Sequence, residues 1–411
     1  MNDDSNYVIT DGGGTIYAPG TVCCSTTDAT SSSLSTCFQC YPNPTASWCT
    51  GQYGYGKCKC DLMPPPTWPP TPLPAPSPAP TLPDTILAGY VGASVVAGSD
   101  DQWASNTLAA ATTAISQGVN ILVVCFVGFN SGSNQIQPTI GGGGFAPSRQ
   151  PSLIKLLQNL QKFRPTGSKP PAYGQALIFM SFGGADTTND NIVTAANWGA
   201  VVTDVKNTYG KLIDGIDYDY EQGFSSTATW EAVYSLASKL KTEDPYVLSS
   251  SAPESPLFRT NACGNPCGAW DYGKLYPTGL DVIWPQIYDG TTSGRCDALL
   301  DGDPNNLYQY FASLVLEAHG PGLRLVAGLP IGRWWQPGPS CSGMKAFQTW
   351  PSAAAAQFVT TVANTPYSTG VMFWNIEWAL GTTDQCDNTA AGCNNDSGFI
   401  KDVAGILKLN G

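Results

Sequence analysis

Hydrophobic residues in the larger, second part of the chain fall into eight short runs separated by polar or amphipathic segments. The runs are rich in β-branched and aromatic residues and do not alternate strictly with polar ones, which is typical of strands covered on both faces. The predicted strands are residues 85–92, 120–129, 175–184, 211–221, 246–254, 280–290, 323–330 and 370–379. Amphipathic segments between them predict helices, including residues 151–163, 191–210 and 227–241.

Eight strands that alternate with helices predict an α/β fold, a (β/α)8 barrel of the TIM type. A doubly wound open sheet is the alternative, but no GxGxxG sequence follows the first strand and no Walker A sequence occurs. Residues 141–144 are four glycines after the second predicted strand. We interpret them as part of a long, flexible loop on the functional face of the barrel.

The beginning of the chain has a different composition. Residues 1–60 contain seven cysteines, and residues 63–83 form a proline-rich stretch that predicts an extended, semi-rigid linker. The chain therefore divides into a small, disulfide-rich N-terminal segment (1–62), a linker (63–83) and a barrel domain (84–411).

Charge and cysteine content narrow the possible partners and the compartment. The net charge is −12 and only 12% of residues are charged, so binding to nucleic acid or to an anionic membrane is disfavoured and a neutral substrate is favoured. No run of 18 apolar residues predicts a membrane span. The N-terminus has no signal-peptide pattern, but fourteen cysteines favour a secreted, extracellular protein in its mature form.

Histidine is almost absent from the sequence. His319 is the single example and sits where a predicted helix ends, so a site with several histidine ligands for zinc is excluded and a Ser-His-Asp triad is disfavoured. Acid–base chemistry must then come from carboxylates or tyrosines. We predict neither a metal nor a cofactor.

The fourth predicted strand carries an unusual concentration of acids in the sequence LIDGIDYDYEQG. Asp217, Asp219 and Glu221 are two residues apart and share one face, whereas Tyr218 and Tyr220 point toward the outer helices. Like charges at this spacing, about 6–7 Å between alternate residues, raise the pKa of at least one carboxyl. A protonated carboxyl beside an ionised one suits glycoside cleavage better than a calcium site or a helix cap, which are the alternatives.

Four motifs then give a specific resemblance. DGIDYDYE resembles the DxxDxDxE signature of family 18 glycoside hydrolases, the chitinases and endo-β-N-acetylglucosaminidases. SFGG at Ser181, QIYD at Gln286 and the tryptophan of WNIEW resemble the motifs of that family on the third, sixth and eighth strands, in the same order. The resemblance covers residues 84–411 and is greatest to the compact, plant-type branch, because the chain is too short after the seventh strand for an inserted domain.

The resemblance implies catalytic roles for four residues. Glu221 would protonate the glycosidic oxygen, and Asp219 would orient the substrate's acetamido group while that group attacks the anomeric carbon. Asp217 would lie deeper and tune Asp219, and Tyr288 would donate a hydrogen bond to the acetamido oxygen. Asp214, of opposite parity on the strand, is interpreted as structural.

The resemblance and the strand pattern together suggest the substrate-binding residues. Trp374 would form the floor of the −1 sugar subsite, and Tyr90 and Ser181 would hydrogen-bond Asp217. The full predicted set is Trp374, Gln286, Asp289, Tyr90, Ser181, Trp284 and Trp334. Trp103 and Trp378 could also stack on sugars, but each is expected to belong to the core. Trp335 is a better candidate, because it lies with Trp334 on the loop after the seventh strand, which has little core to fill.

The cysteines and the N-terminal segment leave more open. Cys125 is expected to be a buried free thiol, and pairs Cys263–Cys267, Cys386–Cys393 and Cys296–Cys341 are possible by position. The N-terminal segment, with Trp48, Tyr53 and Tyr55, has the layout of a carbohydrate-binding module, although a disulfide-stapled appendage without a ligand is an equal alternative.

The sequence therefore predicts a secreted, monomeric, endo-acting chitinase that binds chitin or its oligosaccharides and works by a retaining, substrate-assisted mechanism. One alternative is an endo-β-N-acetylglucosaminidase acting on N-glycans. Another is an inactive chitin-binding lectin, which the presence of Glu221 disfavours.

Overall fold

The structure is a computed structural model that divides into two compact units, Met1–Ala75 and Pro76–Gly411. It describes residues 9–10, 16–17, 21–25, 37–42, 80–93, 95, 97–140, 144–167, 169–184, 196–219, 236–243, 247–252, 279–286, 308, 312, 323–330, 353–365, 368–382 and 398–409. The predicted boundaries at residues 62 and 83 stay predictions. The last linker residues belong to the second unit, since Leu82 is buried and the Pro83 carbonyl accepts a hydrogen bond from Arg324.

The described part of the first unit consists of two antiparallel strand pairs. Ile9–Thr10 pairs with Ile16–Tyr17, and Thr21–Ser25 pairs with Cys37–Pro42. The register of the second pair places Cys23 opposite Cys40 along the backbone. The predicted disulfide framework stays a prediction.

The second unit is a closed ring of eight parallel strands, which confirms the predicted (β/α)8 barrel. The strands are β1 (Ile86–Val91), β2 (Ile121–Asn130), β3 (Leu177–Gly183), β4 (Gly215–Asp219), β5 (Leu248–Ser251), β6 (Val282–Ile283), β7 (Arg324–Pro330) and β8 (Ser368–Trp374). Each strand pairs with the next one along the chain, and β8 pairs with β1 to close the ring.

Helices surround the ring. They are α1 (Asp100–Ser116), α2 (Gln150–Leu160), α3 (Trp198–Asp204), α4 (Ala353–Asn364), α5 (Ile376–Ala379) and α6 (Phe399–Ile406). Short 3₁₀ turns at Pro147–Arg149 and Gln161–Phe163 flank α2, a π-helical turn at Val205–Tyr209 extends α3, and residues 236–243 are also helical. The start of α1 follows from its sequence, because Ser99 accepts a hydrogen bond from the Gln102 N–H and two aspartates fill the first turn.

Two hydrophobic cores occupy the inside and the outside of the ring. Alternate strand residues divide between them, so Ile86, Ala88 and Tyr90 face the interior while Leu87 and Val91 pack toward the helices. On β4 the division places Tyr218 in the outer core, as its parity predicts, and turns Asp217 and Asp219 inward.

Three elements differ from the sequence prediction. The segment after β2 was expected to be a long loop, but β2 pairs with Gln135–Ile140, which pairs in turn with Gly144–Phe145. The sixth strand is only Val282–Ile283, although an isolated bridge joins Gln286 to Gly328. The eighth strand ends at Trp374, because Asn375 accepts a hydrogen bond from the Trp378 N–H and starts α5.

Among the described helices, none is long and apolar enough to cross a membrane. Within the same residues, no group of three or more His, Cys, Asp and Glu side chains could hold a metal ion.

Candidate active site

Asp217 lies at the centre of a hydrogen-bond network inside the barrel. Its Oδ2 accepts hydrogen bonds from Tyr90 Oη at 2.6 Å and from Ser181 Oγ at 2.7 Å. Its Oδ1 accepts them from Ser250 Oγ at 2.9 Å and from Trp284 Nε1 at 3.1 Å. The contacts predicted for Tyr90 and Ser181 are therefore confirmed, and two further donors complete the network.

The network follows from strand register. Asp217 is level with Ser181 on β3 and with Ser250 on β5, so both hydroxyls face the carboxylate from the neighbouring strands. Sequence reasoning missed Ser250 because three consecutive serines on β5 gave no indication of which one faces inward. The serine that faces inward becomes clear from the register, which places Ser250 beside Asp217.

Burial raises the pKa of Asp217, whose side chain is 0% exposed, and the four hydrogen bonds oppose that rise. The sequence predicted a raised pKa in this cluster, but from the repulsion of like charges. Removal of the carboxyl from water is the largest cause here. The result is a buried acid held in one orientation by side chains from four segments of the barrel.

Asp219 lies one pleat closer to the barrel mouth and is also buried. Gln286 Nε2 donates a hydrogen bond to Asp219 Oδ1 at 2.7 Å, and the same amide nitrogen donates to the Ala252 carbonyl at 3.2 Å. Gln286 was predicted to bind substrate. The structure places its amide nitrogen on Asp219, and the predicted contact of Gln286 with substrate stays a prediction.

Trp374 ends β8 and is half-buried beside two other aromatic rings. Its ring centroid lies 5.3 Å from that of Tyr90 and 5.5 Å from that of Phe126, with the Phe126 ring nearly parallel to it at 17°. Phe126 follows Cys125 in the middle of β2 and was not predicted. Gly184 leaves space for this ring, because a Cβ there would lie 2.7 Å from it.

Two non-proline cis peptide bonds occur next to these rings, at Cys125–Phe126 and Trp374–Asn375. Cys125 itself is a buried free cysteine, as predicted, and its thiol donates to the Val91 carbonyl at 3.2 Å. Burial raises the pKa of this thiol well above its ordinary value, and the nearby Glu377, Asp219 and Asp217 carboxylates raise it further.

Trp284 requires a correction. It was predicted to bind substrate, but it is fully buried among the interior side chains, where its ring lies 6.0 Å from Phe179. Its indole N–H reaches both Asp217 and, at 3.2 Å, the Tyr90 hydroxyl. Its ring fills the barrel interior, and its indole N–H donates to the Asp217 carboxylate.

The other tryptophan candidates are mostly buried as well. Trp103 lies in the outer core, where its Nε1 donates to the Gly92 carbonyl at 2.9 Å, and Trp378 is also buried. The structure therefore places neither ring in a position to stack on a sugar.

Several predicted residues fall outside the described part of the chain. Among the catalytic and binding candidates these are Glu221, Tyr288, Asp289, Trp334 and Trp335, together with every cysteine proposed for the barrel disulfides. Their roles and pairings stay predictions.

Asp214, predicted to be structural, lies at the opposite end of β4. It pairs with Arg164 and accepts a hydrogen bond from the Ile178 N–H at 2.8 Å. Burial raises the pKa of Asp214, and the Arg164 guanidinium opposes the rise. It therefore has no contact with the acids at the barrel mouth.

Glu377 was left unassigned by the sequence. It lies on α5 and is only 1% exposed, and its Oε1 accepts a hydrogen bond from the Gly92 N–H at 2.5 Å. Burial raises the pKa of Glu377 to about 7, against the opposing effect of the Gly92 hydrogen bond. The sequence predicted that the eighth strand runs through residue 379. In the structure Glu377 lies on α5 instead, so its side chain points in a different direction from the one that strand would give.

Several solved structures contain barrels similar to that of this chain. The C-terminal domain of Legionella pneumophila ChiA has a TM-score of 0.51 at 14% identity, over 78% of this chain and 98% of that one. The fold of this chain is thus similar to that of family 18 glycoside hydrolases. The catalytic domain of a chitinase from Pyrococcus furiosus has a TM-score of 0.48 at 14% identity, over 81% of this chain and 98% of that one.

A third similar structure is that of the GH18 chitinase ChiB of Flavobacterium johnsoniae, with a TM-score of 0.44 at 12% identity, over 79% of this chain and 93% of that one. No family model and no curated protein matches the sequence. At these identities the likeness concerns the fold, and the chemistry has to be argued from the residues.

Proposed function

We propose that this protein is a chitinase that hydrolyses β-1,4-linked N-acetylglucosamine polymers. The observation that supports the proposal most is the pair of buried acids at the end of β4, Asp217 with four donors and Asp219 with the Gln286 amide. Glu221 follows at the same two-residue spacing in the sequence. Similar barrels belong to proteins described as chitinases.

The proposed reaction is substrate-assisted. Glu221 gives its proton to the glycosidic oxygen as the bond from the anomeric carbon to that oxygen breaks. The acetamido oxygen of the −1 sugar attacks the anomeric carbon from the opposite face and forms a cyclic oxazolinium intermediate. Water then attacks the anomeric carbon as the bond from that carbon to the acetamido oxygen breaks, and the water gives a proton to Glu221. The acetamido group is regenerated and the product retains the β configuration.

The residues around Asp219 suit its proposed role of balancing the charge on the intermediate. Gln286 fixes one carboxylate oxygen, and Asp217 lies behind it in an environment of hydrogen-bond donors. An ordinary retaining enzyme places a carboxylate nucleophile about 5–5.5 Å from the acid, on the other side of the sugar. The predicted acids all come from one strand, which favours the substrate's own acetamido group as the nucleophile.

The anomer first released and the substrates cleaved test this proposal. We expect chitin oligosaccharides to be cut internally, with the β anomer appearing first by proton NMR. No cleavage is expected after a −1 sugar that lacks its acetyl group. Release of glycans from a high-mannose glycoprotein without cleavage of chitin oligosaccharides would instead indicate an endo-β-N-acetylglucosaminidase, and initial release of the α anomer would contradict the mechanism.

Glu221→Gln tests the assignment of the acid. The amide keeps the shape of the side chain and removes the proton, so the hydrolysis rate should fall by about 10²–10⁴. Glu243→Gln is the matched control, because Glu243 is a surface glutamate paired with Lys239 and should leave the rate unchanged. Near-normal hydrolysis of unactivated chitin oligosaccharides by Glu221→Gln would exclude this residue as the acid.

An insoluble polymer has to be degraded outside the cell, so we also propose an extracellular, monomeric enzyme. The fourteen cysteines support this location. Mass measurement of the secreted chain before and after reduction would count its disulfides. A chain without disulfides would argue against an extracellular location.

A further inference from the structure

Glu377 joins the two strands that supply the aromatic side of the site. It follows Trp374 of β8 by three residues, and its partner Gly92 follows Tyr90 of β1 by two. Tyr90 in turn donates to Asp217 and contacts the Trp374 ring. The hydrogen bond from Gly92 to Glu377 therefore closes a ring of contacts through both aromatic residues.

The end of β1 is held from three sides. Trp103 on α1 donates to the Gly92 carbonyl, Cys125 on β2 donates to the Val91 carbonyl, and Glu377 on α5 accepts from the Gly92 N–H. Gly92 has a φ of +97°, and a Cβ there would lie 3.0 Å from the Cys125 carbonyl oxygen. Of these three side chains, Glu377 is the one that belongs to the same segment as Trp374.

A carboxyl at this place is unfavourable for the fold. Glu377 Oε2 has no hydrogen-bond partner in the part of the chain that the structure describes, and none of the described lysines or arginines pairs with it. A buried, unpaired carboxyl destabilises a folded protein, whereas glutamine would offer the same acceptor without a charge. Among the described residues, no contact of Oε2 offsets this cost.

We propose that Glu377 is a positioning residue, which holds the end of β1 against the turn after β8 and so fixes Tyr90 and Trp374 relative to Asp217. This inference rests on the proposed hydrolysis of chitin. Through these contacts Glu377 acts on the −1 subsite without touching the substrate.

Glu377 also has a route to solvent that does not pass through the barrel mouth. It lines a cavity of about 460 Å³ between α1 and the turn after β8, together with Asn106, Thr113, Gln117 and Thr382. The side chains that α1 contributes to this cavity are uncharged, β1 contributes the Gly92 N–H, and β2 contributes the Cys125 thiol, whose pKa Glu377 raises.

Protonation at this site can therefore follow the bulk pH while substrate fills the cleft. With a pKa of about 7, Glu377 is neutral in mildly acidic solution and charged above neutrality. The charged form needs water on Oε2 and adds a negative charge near Cys125, Asp219 and Asp217. The Gly92 N–H favours the charged form, so this hydrogen bond persists on ionisation, but the new charge on the unpaired Oε2 has to be hydrated from the cavity. We expect this hydration to shift the turn after β8 and to lower kcat as the pH rises through 7.

The test compares kcat and KM of the full-length wild type, Glu377→Ala and Glu377→Gln on a chitin oligosaccharide from pH 4 to 9. Loss of one positioning hydrogen bond should lower kcat about tenfold in Glu377→Ala and change KM by no more than about twofold. Glu377→Gln should restore kcat in acidic solution and should abolish the decline that the wild type shows near pH 7. Asp214→Asn is the matched control, a buried carboxyl changed to an amide at the other end of the barrel.

The outcomes separate the inference from the function on which it rests. A wild type that does not cleave chitin oligosaccharides overturns both. An active wild type with an unchanged kcat in Glu377→Ala, or with an equal fall in Asp214→Asn, overturns the positioning role alone. If Glu377→Ala does not fold, Glu377→Gln decides, because persistence of the wild-type decline near pH 7 in that variant contradicts the inference.

Discussion

Asp217 shows how a single buried carboxyl depends on many parts of the chain. Its four donors come from β1, β3, β5 and the residue that follows β6. Each donor offsets part of the cost of removing the carboxyl from water. Loss of any one of them should therefore disturb the orientation of the acid more than the packing of the barrel.

Trp284→Phe tests this dependence. Phenylalanine retains an aromatic ring in the interior but removes the N–H that reaches Asp217 and Tyr90. A hydrogen bond to a charged group is worth about 1.5–3 kcal/mol, so kcat/KM should fall about tenfold or more. The measurement is steady-state hydrolysis of a chitin oligosaccharide. Phe179→Leu, which alters a neighbouring interior ring without a polar contact to Asp217, is the control and should have a smaller effect.

The raised pKa of Glu377 predicts that the free energy of unfolding depends on pH. Its pKa is about 7 in the folded protein and near 4.5 when unfolded, so folding favours the protonated form. The stabilisation is fully present below about pH 4.5 and is lost as the pH rises through 7, a change of about 3 kcal/mol in the free energy of unfolding. Asp217 and Asp214, whose pKa values are also raised, contribute in the same direction.

The comparison with Glu377→Gln isolates this contribution. Urea unfolding of both proteins between pH 4.5 and 8 should show a shallower decline in stability for the variant. Parallel curves for the two proteins would contradict the pKa assigned to Glu377.

At the scale of elements, the contact between β8 and β1 tolerates almost no side-chain volume. Gly370 lies where the two strands meet, has a φ of +144°, and a Cβ there would lie 1.8 Å from the Ile86 carbonyl oxygen. Only glycine adopts this backbone without strain. The closure of the barrel therefore depends on one residue without a side chain.

Gly370→Ala should destabilise the protein by on the order of 4 kcal/mol, because backbone strain and a steric clash act together. Gly199→Ala is the matched control on α3, where a Cβ would meet nothing within 4 Å. It should stabilise the helix by about 0.5 kcal/mol. Urea unfolding of the two variants beside the wild type provides the measurement, and equal effects would contradict the explanation.

Some elements could be predicted from sequence because their pattern has one interpretation. The parity of β4 placed Asp217 and Asp219 inside and Tyr218 outside, since a strand alternates its faces whatever its neighbours are. The end of β8 could not be placed in this way, because polar Asn375 and Glu377 alternate with apolar residues through Trp378, which a continuing strand would also show. Asn375, a strong N-cap residue, was the local signal for the change to a helix.

Site residues that depend on distant partners were harder to predict. Ser250 and Trp284 meet Asp217 only after the strands are in register, which links residues 33 and 67 positions apart. Phe126 lies where the register between β2 and β3 shifts, between Val124 and Val127. An aromatic side chain at such a place could equally belong to either core, and sequence alone does not say which ring meets Trp374.

At the scale of the whole molecule, the chain divides between Ala75 and Pro76 into two units, which we expect to have different roles. One of the two equal interpretations of the N-terminal segment is that it holds the proposed enzyme on its polymer while the barrel carries out the chemistry. Removal of residues 1–75 leaves the second unit complete, including the buried Leu82.

The shortened protein should bind insoluble chitin more weakly in a pull-down and should hydrolyse soluble oligosaccharides at the wild-type rate. The physical reason is that a tethered binding segment raises the local concentration of enzyme on the solid and does not touch the reacting bond. Equal pull-down by both proteins would favour the alternative of an appendage without a ligand.

The pairing of β8 with β1 also governs when the barrel can finish folding. Ile86 and Gly370 are partners, so the ring stays open until β8 has left the ribosome. Closing so long a loop is slow, and until then β1 and the last completed strand present unpaired edges to other chains. A chain interrupted before Ser368 would retain both edges permanently, which makes premature termination a route to aggregation for this protein.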